Sequence, residues 1–189
     1  MEPLFLAVIS GCNSGLFREA LHEVYVPRVQ RGNAAFAANI LGARGALLSV
    51  LVHFFEQESW DAPVQTGAEG HSLSAEDQLF ILTQAGLYLQ AQRGGAPDVR
   101  ICYERAESLC HSLNRPHLLY SALIGQWRYS HATDKLTATM QVAQRVYSLA
   151  KEQNDSALLV GACNALAATL YFMGDFEATL SPACVRMKS

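Results

Sequence analysis

Apolar residues fall at helical spacing along most of the chain. From Leu16 to Gln30, Phe17, Ala20, Leu21 and Val24 share one face, which predicts a helix that Pro27 disturbs before a turn at Arg31-Gly32-Asn33. Ala34 to Glu56 carries Phe36, Ile40, Leu41, Leu47, Leu48, Leu51 and Phe55 at the same period, predicting a long second helical segment weakened at Gly42 and Gly45. The pattern then lapses between Gln57 and Ser72, where Asp61, Pro63, Gly67, Gly70 and His71 predict an exposed loop. Trp60 lies within it as a candidate exposed anchor.

Beyond the loop the signals are regular. Ser74-Ala75-Glu76-Asp77 has the form of a capping box, so a helix is expected from there to about Gln92. Pro97 suits the first turn of a helix reaching about Leu113, and Asn114 and Pro116 open another that ends near His131. Asp134 and Asp155 are candidate caps for helices running to about Gln153 and Met173, and Gly174-Asp175 is the closing turn. The expected layout is a helical, repeat-like segment over 1–58, a loop over 59–73 and a helical repeat region over 74–189.

Repetition adds more than periodicity alone. A shift of 40 residues superposes Arg105 on Arg145, Ser108 on Ser148, Leu109 on Leu149, Asn114 on Asn154, Leu118 on Leu158, Leu119 on Leu159 and Ala122 on Ala162. The same step joins Leu79, Leu119 and Leu159, and the small residues Ala85, Gly125 and Ala165. A fixed period of this size marks stacked supersecondary units, in which small residues let neighbouring helices approach. The fold class expected is all-α: a right-handed solenoid of stacked antiparallel helix pairs with a repeat of about 40 residues.

These residues resemble the tetratricopeptide-repeat family of helical hairpins. Leu166-Ala167, Leu170 and Gly174-Asp175-Phe176-Glu177-Ala178 stand close to that family's pattern, and Tyr103 with Ala106, and Tyr147 with Ala150, look like its second-helix positions. The longer repeat is similar to the carboxyl-terminal arrays of large bacterial regulatory ATPases joined to adenylate-cyclase or DNA-binding output domains. The resemblance implies a repeat module of such a regulator, without its nucleotide-binding cradle: Gly42-Ala43-Arg44-Gly45 has neither the length nor the lysine of a phosphate loop. After Ala178, Pro182 and the end at Ser189 leave the last unit incomplete, as in a fragment, with self-association through that unit as an expectation.

Composition narrows the function classes. Fourteen Lys and Arg against seventeen Asp and Glu give a charge of −3, with no basic field for nucleic acid. Charged residues make up 16 % of the chain, against about 25 % in ordinary soluble domains, so some surface is expected to face protein. Five scattered cysteines without a CxxC pair predict a reducing, cytoplasmic setting, and acidic Glu2 argues against an export signal. The best membrane candidate, Ala46 to Phe55, falls well short of the roughly 20 apolar residues a span needs.

Candidate chemistry is thin. Cys102, Cys110 and His111 lack zinc-ligand spacing, no cysteine sits in a nucleophile turn, and Glu104, Glu107 and Glu152 lie beside cations as solvated helix faces do. No cofactor, metal or catalytic residue is expected. The expected activity is non-enzymatic protein association, with a partner protein or peptide on a concave face. Counting one and four residues beyond the small positions assigns Gln126, Tyr129 and Thr169 to that face, with Gln90 nearby. Trp127 is expected to serve packing. The competing expectation is a small-molecule sensor array that controls an output domain.

Overall fold

The computed structural model describes residues 1–179 other than Thr66, Glu69, Arg115 and Asp134, and the backbone alone for Asn33, Glu58, Pro116 and His117. The cap expected at Asp134 and the incomplete last unit expected after 179 lie outside the described residues. Among those residues the regular structure is helical, with one isolated antiparallel bridge, Phe55–Pro63. The chain forms two compact units, Met1–Arg105 and Ala106–Ser189.

In the first unit, α1 (Glu2–Asn13) turns Val8 and Cys12 inward and packs on the segment that follows. That segment begins as a single turn, α2 (Phe17–Glu19), and continues as a π-helix, Ala20–Gln30, with Pro27 inside it. The helix expected over 16–30 is thus present, with most of it in the π register. Pro27 has no N–H to donate, and the wider i→i+5 register carries the chain past it to a left-handed stop at Arg31, φ 55°. The single long helix expected over 34–56 is also broken, into α3 (Phe36–Asn39), α4 (Arg44–Leu51) and short 3-10 turns. The break falls at Gly42, whose φ of +62° is left-handed and incompatible with a continuing helix.

The loop expected to be exposed folds back in part. Glu56 N–H donates to Ala62 O at 2.8 Å and Val64 N–H to Phe54 O at 2.9 Å, which buries Val64. Trp60 is consequently half-buried, edge-on to Phe55 with ring centres 5.0 Å apart, rather than an exposed anchor. A hydrogen bond ties the end of the segment to α2, His71 Nδ1 lying 2.5 Å from Glu19, and His22 Nε2 of the π-helix lies 2.8 Å from Asp77 at the start of α5.

Helix α5 (Ala75–Arg93) starts with the expected capping box. Ser74 Oγ accepts from Asp77 N–H at 3.1 Å, and the Asp77 carboxylate accepts from Ser74 N–H at 3.0 Å. Between α5 and the π-helix lies a buried amide and phenol chain. Gln30 Nε2 donates to the hydroxyls of Tyr25 and Tyr88, each at 2.8 Å, and Tyr88 donates to Gln84 at 2.6 Å. Burial pushes both phenols above their ordinary pKa, so they stay neutral donors and acceptors. Gly86 is a close-approach position: a Cβ there would meet the buried Tyr103 ring at 2.8 Å.

α6 (Pro97–Ser112) opens on Pro97 and crosses from the first unit into the second. The second unit then contains α7 (Pro116–Ala132), α8 (Leu136–Gln153), α9 (Ser156–Phe172) and α10 (Phe176–Thr179). α7 packs on α8, α8 on α9 and α9 on α10. Asp155 caps α9 by accepting from the N–H groups of Ala157 and Leu158, and Gly174 closes it at φ +82°. Leu123, Val146, Leu149, Ala150 and Ala162 form the core between these helices.

The thiols behave as core atoms. Cys12, Cys102, Cys110 and Cys163 are buried, and burial pushes Cys12 and Cys102 up to about 12. Iodoacetamide should therefore leave Cys12 and Cys102 unmodified in the folded chain at neutral pH and label both in urea, as peptide mapping by mass spectrometry would show. Rapid native labelling of either would contradict their placement.

Candidate functional site

The second unit contains an open groove of about 590 Å³ between α7 and α8. Its floor is apolar, from Leu119 and Leu123 on α7 and Leu149 on α8. Its wall is one polar stripe of α8: Gln141, Gln144, Arg145, Ser148 and Glu152. The local reason is the helical period. Val142, Val146, Leu149 and Ala150 turn α8 into the core, so the intervening positions point away from it.

One cation in the wall is held from α6. Glu107 forms an ion pair with the Arg145 guanidinium, accepts a hydrogen bond from Gln126 Nε2 at 2.5 Å and lies 3.5 Å from His111 Nε2. Burial alone opposes ionisation of Glu107, but hydrogen bonds from Gln126 and Arg145 outweigh it and hold its carboxyl below the ordinary 4.5. A depressed carboxylate stabilises the fold above its unfolded pKa and loses that contribution as pH falls through its folded value. Glu107→Gln should remove this part of the acid sensitivity, so the loss of stability below pH 4.5, followed by urea midpoints, becomes shallower than in the parent.

The residues assigned to a concave face are placed as follows. Thr169 is wholly buried, donating to Ala165 O at 2.8 Å and accepting from Trp127 Nε1 at 2.9 Å. Tyr129 and Gln126 are buried, and Gln126 is the residue that braces Glu107. Gln90, in the first unit, is half-buried with its side-chain oxygen enclosed and without a hydrogen-bond partner. The physical reason is angular: a step of four along a helix turns only about 40° from the small spacer residue, so Tyr129 and Thr169 share the packed face of Gly125 and Ala165. Trp127 packs, as its apolar helix predicts.

The groove residues on α8 were legible only as a polar face. The available signal was the run Gln141, Gln144, Ser148 and Glu152 at steps of three and four, opposite a valine stripe. The Glu107–Arg145 pair spans 38 positions and carries no local signature.

A second surface lies on α9. Phe172 meets His131 edge-on at 4.6 Å, and Tyr171 packs on Phe172 and Phe176 at 5.6 and 5.4 Å, yet all three residues of that aromatic run remain largely exposed. Among the described residues no group of three or more His, Cys, Asp or Glu side chains is placed to hold a metal, and no helix is long and apolar enough to cross a membrane. No protein-family model, no curated protein and no solved structure matches the chain.

Proposed function

We propose that the chain is a non-enzymatic helical-repeat scaffold, a right-handed tetratricopeptide-like array of antiparallel pairs, that acts by taking a segment of a partner protein. Support for the repeat comes from the helix limits: α7 and α9 are each 17 residues long and begin 40 positions apart, at Pro116 and Ser156. α5 begins at Ala75, 41 positions before α7. On the resemblance drawn above, such an array would serve a bacterial regulatory ATPase or cyclase-type protein whose output chemistry resides in other domains.

The observation that carries the binding reading is the α7–α8 groove. An apolar floor contributes burial for one or two side chains of a bound peptide. Along its wall, Gln141, Gln144 and Ser148 offer both donors and acceptors to a peptide backbone, while Arg145 and Glu152 set charge preference. Peptides selected from a random library on the full chain should lose at least about tenfold in affinity on Gln144→Ala combined with Arg145→Ala, with helical circular dichroism unchanged. A library yielding no binder, or binders indifferent to both changes, would remove this reading.

A second reading is a small-molecule sensor that takes its ligand on the apolar floor of Leu119, Leu123 and Leu149. A metabolite thermal-shift screen separates the two: a ligand that binds only the folded state raises its melting temperature.

A further inference from the structure

The α9 helix presents a face that its counterpart one unit earlier keeps covered. On α7 the stripe Tyr120, Ile124, Trp127 and His131 faces α9: Tyr120 donates to Leu158 O at 2.9 Å, Trp127 to Thr169 at 2.9 Å, and His131 meets Phe172 edge-on. Forty positions on, the same stripe of α9 is Val160, Asn164, Ala167 and Tyr171. Val160, Asn164 and Tyr171 are exposed and Ala167 is half-buried.

Three properties of this stripe specify its occupant. It carries no charge: from Ser156 to Gly174 there is no Asp, Glu, Lys, Arg or His. Its two ends differ in size, with Ala157 and Val160 at the start and Tyr171, 57 % exposed, at the finish. Its midpoint is polar, because Asn164 lies seven residues from both Ala157 and Tyr171. A helix of 17 residues is about 25 Å long, enough for a complete helix–helix contact.

From these we infer that α9 is a homodimer interface, in which two copies of the chain pack α9 antiparallel about a two-fold axis passing through Asn164. An antiparallel crossing sets Tyr171 of each helix over Ala157 of the other, so bulk meets space at both ends. At the axis the two Asn164 amides meet, and an amide is its own complement because it both donates and accepts. A single polar residue in an apolar seam also fixes register, since any slip leaves the amide unpaired. The uncharged seam lets identical faces approach without like-charge repulsion. This interface is independent of peptide binding in the α7–α8 groove.

Sedimentation equilibrium on the full 20.6 kDa chain tests it. The parent should form a dimer of twice that mass. Asn164→Lys and Asn164→Asp should each be monomeric, because each sets like charges face to face on the axis. An equimolar mixture of the two should recover a dimer, which only a self-opposed position can do. Should a charged variant lose its helical circular dichroism, Tyr171→Ser carries the same test and should weaken the dimer at least about tenfold. A parent that stays monomeric up to its solubility limit, a dimer unmoved by these changes, or a mixture that remains monomeric would each overturn the inference.

Discussion

Tyr88→Ala is expected to destabilise the first unit by about 3 to 5 kcal/mol, the range for removing a large buried ring. Tyr88 is 1 % exposed, and its hydroxyl joins Gln30 to Gln84 inside the unit. Truncation therefore opens a cavity and also strips a partner from two amides. Tyr88→Phe separates these contributions: it keeps the ring and removes the hydroxyl, and should cost about 1 to 3 kcal/mol for the polar groups left behind. Urea unfolding followed by circular dichroism checks both, with a lowered midpoint and an unchanged slope as the expected signature. Equal costs for the two substitutions would mean that packing of the ring contributes nothing, contrary to its enclosure.

The second large effect belongs to the other unit. Leu123 is 1 % exposed and packs between α7, α8 and α9 against Val146, Leu149 and Ala162. Leu123→Ala should cost about 2 to 5 kcal/mol. Leu119, one turn earlier on α7 and only half-buried, should cost less on the same change. Because Leu119 and Leu123 also floor the groove, Leu119→Ala is the better probe of binding: it alters the floor while leaving most of the core in place.

What could be read from residues alone follows how local each signal is. Ser74 with Asp77, Pro97, Pro116, Asp155 and Gly174 act within a few positions of themselves, and each stands where the helices of the second half of the chain begin or end. The first half was less legible because its determinants are tertiary. Nothing in the composition of the π-helix distinguishes it from an α-helix; it carries Pro27, and its Gln30 bonds to Tyr25 within it and to Tyr88 of α5, 58 positions away. No cap announces α1 within the segment 1–58: Met1 makes no side-chain capping bond. Gly42 is a weak point by its residue type alone, but whether it bends or breaks a helix is decided by its positive φ.

The binding surface divides in the same way. A polar face on α8 is visible in the spacing of Gln141, Gln144 and Ser148, but its position above Leu119 and Leu123 depends on how α7 packs. Trp127 and Thr169, 42 positions apart, meet only because α7 and α9 lie side by side. Counting along a helix places a residue on a face; which neighbour covers that face is a property of the packed unit.

If α7 and α8 form one of a series of equivalent layers cohering through their neighbours, as proposed, the full chain should tolerate duplication of residues 116–155. Stacked layers gain one interface per unit added, so the lengthened protein should fold, with helical signal rising in proportion and a urea midpoint at or above that of the parent. A lengthened chain that fails to fold, or unfolds at a markedly lower midpoint, would show instead a closed core, which has no place for a further layer.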